Sequence, residues 1–228
     1  MAFTEEFFKY FARVLMLLLV LPLREAAVGL VAKWQGDDTA EREGRITLNP
    51  FVHLDFIGSL LILLIGFGWG KPLPVNPNRM KNYRRGMLLT SLAGPVTNFL
   101  AAFICCLINS LMLCSESVIE SLASNSVTPV SCIQIVLSFL FQINVCLGVI
   151  SILPIPPMEG FNILRCFAGH KFERWYFTNQ RNINIAAMLI LLILFTLPDA
   201  INPLIYLIVK AENLISLTTS WIPALRWS

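Results

Sequence analysis

The sequence predicts an all-α membrane protein, a bundle of about five spanning helices with a short re-entrant, β-like segment after the first. Three observations predict it. Hydrophobic residues fill 56% of the 228 positions, and mean hydropathy is +0.70. Charged residues make up 14% of the chain, against about 25% in soluble domains. The apolar residues gather into runs near the roughly 20 residues that a spanning helix needs. One domain covers 1–228, with a core over 15–165 and a C-terminal helical hairpin over 183–217. The net charge of +3 is small, and no basic stripe with interleaved aromatics occurs. Nucleic acid is therefore excluded as a partner, and the lipid bilayer is the first one expected.

The elements follow in order. Residues 7–33 supply a first span, interrupted by Lys9, Arg13, Arg24 and Glu25. No small-residue cleavage site follows it, so it reads as a retained helix and not a removable signal. Arg45 to Leu48 alternate as in a strand, and Asn49-Pro50 marks a turn. The stretch "FIGSLLILLIGFGWG", 56–70, is apolar but short and glycine-punctuated, which favours a re-entrant segment over a span. A proline-rich basic loop follows, "KPLPVNPNRMKNYRRG". Residues 87–114 and 131–153 are clean spans. Shorter runs at 183–197 and 200–217, separated by "PDAINP", read as the hairpin.

Lys and Arg concentrate in two loops, 71–85 and 165–181, while Ser115–Val130 holds Glu116 and Glu120 and no basic residue. The positive-inside rule places the first two loops in the cytoplasm and the third outside. The 71–85 run reads as a solvated face near anionic lipid. The six cysteines lie mostly in apolar segments and form no CxxC pair, so they read as small buried hydrophobes. Gly94-Pro95 reads as a close backbone approach at a helix start.

Four stretches then point the same way: "GDDTAEREGRITLNPFVHLD", "KPLPVNPNR", "SLAGPVTNFL" and "LPIPPMEG". In this order they resemble the site-2 protease family of intramembrane zinc metalloproteases, in the compact bacterial form without a PDZ domain. The resemblance implies a helix bundle in a bacterial plasma membrane, with an active site near the cytoplasmic face. It also implies a His-Glu-x-x-His motif on the first helix, two imidazoles binding zinc and the glutamate acting as general base. The implied third ligand is the aspartate of a Leu-Asp-Gly motif.

This chain departs from that pattern. The motif reads Arg24-Glu25-Ala26-Ala27-Val28, and the last ligand position reads Met158-Glu159-Gly160. Arg24 and Val28 stand where the histidines belong, Glu25 keeps the base position, and Glu159 keeps a carboxylate. Ser151 replaces an asparagine. Asn98, Asn144 and His53 match family positions; the two asparagines and His53 are candidate cleft-lining residues, and His53 is expected to brace a local turn. The resemblance brings Arg24 and Glu159 together, so a structural ion pair between them is expected in the place of the metal. Snorkelling of Arg24 to the interface is the alternative. No cofactor is expected on this reading. The function expected is that of an inactive family member that binds transmembrane segments or serves as a subunit of a membrane complex. The alternative is an active protease with an atypical metal site, which would hold zinc. The shared depth of the motifs places the N-terminus outside and the C-terminus in the cytoplasm.

Overall fold

The first apolar run folds as one long rod. In the computed structural model, which describes residues 2–65, 68–115, 118–119, 128–197 and 202–222, α1 (Ala2–Leu15) passes through a π-helical segment, Met16–Val20, into α2 (Leu21–Trp34). Pro22 cannot send the α-helical hydrogen bond back to Leu18, and the wider π turn sits where that bond is missing. Glu6–Trp34, Tyr83–Met112 and Pro129–Ile152 are each long and apolar enough to cross a membrane.

After α2 the chain makes two short helices, α3 (Thr39–Arg42) and α4 (Pro50–His53), then α5 (Phe56–Ile65). The Asp37 carboxylate holds this region together: it accepts from Thr39 N at 3.0 Å and from Asn76 N at 2.6 Å. No strand forms among the described residues. The expected β-like stretch at 45–48 is a bend instead. The Thr47 carbonyl, which a partner strand would use, accepts from His53 Nε2 at 2.8 Å, and Arg45 turns inward to donate to the Lys71 carbonyl at 2.9 Å.

At about 15 Å, α5 is half as long as the hydrocarbon core is thick. The chain then returns beside it. Lys71 N donates to the His53 carbonyl at 2.7 Å, and a Cβ on Gly68 would lie 2.8 Å from the Ile62 side chain. The two ends of the 56–70 segment therefore meet. Arg13, buried on α1, donates to the Leu63 and Leu64 carbonyls at 2.6 and 3.0 Å. Those groups close the C-terminal end of α5, where backbone acceptors lack helical partners and a cation is favoured.

The remaining helices are α6 (Tyr83–Met112), α7 (Pro129–Ile152), α8 (Glu159–Phe167), α9 (His170–Thr196) and α10 (Pro203–Thr219). Asparagine caps the start of α4, α6 and α10. Asn49, Asn82 and Asn202 each accept a backbone N–H as N-cap, and in two cases proline follows at the first helical position. Asn-Pro in this chain is thus a helix-start signal as well as a turn signal. The hub is α6, which packs against α2, α7, α8 and α10.

Two expectations change here. Gly94-Pro95 lies in the middle of α6 and not at a helix start; the membrane-length helix tolerates the proline at the loss of one backbone bond. The basic stretch 165–181 is mostly helix, not loop. Its aromatic residues supply the packing: Phe161 of α8 stacks on Tyr176 of α9 with ring centroids 4.9 Å apart. The pair expected at 183–197 and 200–217 corresponds to α9 and α10, whose connection at 198–201 lies outside the described residues.

Candidate functional site

The site assembles where α2, α6, α7 and α8 converge. Arg24 projects from the second turn of α2, with Pro22 two residues before it. Its Nη1 donates to the Glu25 carboxylate and its Nη2 to the Glu159 carboxylate. The Ser151 hydroxyl, near the end of α7, stands 3.5 Å from Nη2. The side chains of Arg24, Glu25 and Glu159 are 14%, 8% and 27% exposed. One guanidinium thus bridges two helices and holds two carboxylates, a task its fork of donors suits.

Small residues make the convergence possible. A Cβ on Gly94 would fall 2.9 Å from Arg24 Nη2, so the guanidinium lies flat against the bare backbone of α6. A Cβ on Gly160 would fall 1.9 Å from the Ile152 carbonyl. Glycine there lets the first turn of α8 press against the end of α7 and carries Glu159 to Arg24. Glu159 heads α8, where a carboxylate also suits the positive end of the helix dipole.

Val28 lies one turn beyond Arg24 on α2 and offers no donor or acceptor. Asn98 lies one turn beyond Gly94 on α6, fully buried, with neither amide atom hydrogen-bonded. Asn144 on α7 is also fully buried; it donates to the Leu140 carbonyl at 2.8 Å and leaves Oδ1 free. His53 is fully buried, but its bond to Thr47 O joins it to the α4 turn and not to the Arg24 cluster. The close approach expected at Gly94 is made, by Arg24, while sequence reasoning missed the parts played by Gly160 and Arg13. A glycine one position from a site residue, as Gly160 is from Glu159, carries no signal of contact across the fold. Arg13 did carry one, as a lone cation in an apolar run.

The donor set does not fit a zinc ion. Zinc takes Cys, His, Asp or Glu ligands in tetrahedral array. Arginine has no acceptor and valine no polar atom, and both carboxylates already accept from Arg24. Among the described residues no three His, Cys, Asp or Glu side chains converge as a metal site.

Residues 14–195 match peptidase family M50. The chain is 40% identical over 151 residues to the candidate zinc metalloprotease YwhC of Bacillus subtilis (strain 168), a match covering 66% of each protein. It thus spans just under two thirds of that relative. No solved structure matches it.

Proposed function

The chain belongs to peptidase family M50, the site-2 proteases, and from that premise we propose that it is a catalytically inactive member that binds transmembrane segments of other proteins. The observation that carries this reading is the Arg24 guanidinium between Glu25 and Glu159. It occupies the carboxylates that a metal would need, and it brings its own positive charge. The cleft that the family reading expects lies among the helices around it. Asn98 and Asn144 offer buried amide capacity there, which the backbone of a bound segment would satisfy. Glu25 keeps the base position, and its carboxylate is held by the Arg24 guanidinium.

In the full arrangement proposed, the helices of α9 and α10 join the three apolar spans in the bilayer, and 56–70 enters and leaves on the cytoplasmic side. The short length of α5 and the meeting of its flanks at His53 and Lys71 support this. The basic residues near both 71–85 and 165–181 favour the same side and a cytoplasmic C-terminus.

A protease with an atypical metal site is the alternative, favoured by the retained Glu25 and Glu159 and by the likeness to YwhC. Elemental analysis of the purified protein separates the two. The inactive reading expects no stoichiometric zinc. About one zinc per chain, lost on Glu25→Gln or Glu159→Gln, would overturn it.

A further inference from the structure

A second polar cluster lies at the far end of α8. Arg165 there is three-quarters or more buried and pairs with Glu173 at 3.3 Å, with side chains 14% and 20% exposed. Its guanidinium lies over the Tyr176 and Phe177 rings at 4.9 and 5.1 Å. Glu173 also accepts from the Tyr83 hydroxyl at 3.3 Å. Tyr83, Arg165 and Glu173, with Arg84, Cys166 and Ala168, line a cavity of about 190 Å³.

The charge in the cavity is unbalanced. Arg165 and the tyrosine hydroxyl already satisfy Glu173, so Arg84 is left over. Arg84, Arg85, Lys171 and Arg174 make no ion pair among the described residues. Lys171 and Arg174 flank a second hollow on the outer face of α9, with Trp175, Thr178 and Asn179. The place therefore attracts an anion.

The depth identifies which anion. Tyr83 and Arg84 open α6, a 30-residue helix. At about 45 Å it exceeds the ~30 Å hydrocarbon core, so its first turn reaches the headgroup layer. Phe167, Trp175 and Phe177 are 75%, 55% and 57% exposed around the same cluster, as aromatic residues are at the membrane interface. What lies against a cationic, aromatic-rimmed cavity at that depth is a phospholipid headgroup, and charge selects an anionic one. We propose that the Tyr83–Arg84–Arg165 cavity binds the phosphate of an anionic phospholipid, with Arg84 as the free cation that meets it. This binding is independent of the inactive-protease reading, since it uses none of Arg24, Glu25 or Glu159.

The test uses the full chain in a neutral detergent, with phosphatidylglycerol, phosphatidylcholine or inorganic phosphate added in turn. Retained lipid is counted by native mass spectrometry, and thermal unfolding is followed in parallel. Phosphatidylglycerol is expected to be retained and to raise the unfolding temperature, while phosphatidylcholine does neither. Arg84→Gln is expected to weaken phosphatidylglycerol binding about fivefold, and Lys33→Gln, an exposed cation on α2 outside both the cavity and the 71–85 run, to leave it unchanged. Arg84 is exposed and unpaired, so its replacement leaves the fold intact; an unchanged circular dichroism spectrum checks this. Equal retention of both lipids, or equal loss from the two variants, would overturn the proposal. So would inorganic phosphate alone reproducing the stabilisation, because the ligand would then be a soluble phosphate.

Discussion

Replacing Arg24 with methionine removes the one cation between two carboxylates. Glu25 and Glu159 would then face each other with side chains 8% and 27% exposed. Breaking a buried ion pair by deleting one partner costs about 3–5 kcal/mol. The partial exposure of Glu159 places the cost at the low end, about 3 kcal/mol for Arg24→Met. Glu159→Leu is milder, about 1–2 kcal/mol, because Arg24 keeps Glu25 and stays within 3.5 Å of Ser151. The double variant Arg24→Met/Glu159→Leu should cost less than the sum of the two. Adding Glu25→Gln, which removes the last unpaired charge, should recover more. Thermal unfolding in detergent reads these changes as shifts of roughly 2–4 °C per kcal/mol for a chain of this size. The expected coupling between the two sites is about 1–2 kcal/mol. Single variants that are harmless, or effects that add within about 0.5 kcal/mol, would show that the pair does not hold α2 to α8.

Further outcomes follow from the same geometry. Arg24→His, Val28→His and Glu159→Asp together should create zinc affinity, read by metal titration of the purified protein; no uptake would mean that the helices do not converge as in the family. Gly160→Ala should destabilise more than Gly94→Ala, beyond about 1–3 kcal/mol, because its Cβ meets the rigid Ile152 carbonyl while that of Gly94 meets a movable guanidinium. Single cysteines at the exposed positions 43 and 78 should both label from the cytoplasmic side; labelling from opposite sides would refute the re-entrant reading of 56–70. The Asp38 carboxyl should respond to acid. Its slight desolvation pushes its pKa up, but hydrogen bonds from Arg42 and Arg79 outweigh that and hold it below the ordinary range. A lowered folded pKa stabilises above the ordinary value, about 3.9, and the contribution fades as pH falls through the lowered one. Hydrogen-exchange protection over 36–45 and 76–81, taken relative to the intrinsic rate at each pH, should therefore fall below about pH 4, and Asp38→Asn should abolish that dependence.

The sequence by itself determined the membrane class and the family, and it named the residues of the candidate site. Apolar runs of spanning length need no tertiary information, since the bilayer demands that each helix satisfy its own backbone. The motifs around Arg24, Asn98 and Glu159 are local strings, readable letter by letter without any knowledge of what they touch. Periodicity did not reveal the bend at 45–48, because alternation makes a strand only if a partner supplies hydrogen bonds, and His53 took the acceptor instead. Nor did it reveal the helical course of 165–181, where polar residues hid a face of aromatics that packs on α8. Only the tertiary structure decided which carboxylates share the Arg24 guanidinium, because Glu159 lies 135 positions away along the chain. It also decided why the guanidinium fits: Gly94 of α6 and Gly160 of α8 give up their side chains at the two contacts. A missing Cβ has meaning only once another helix is known to lie against it.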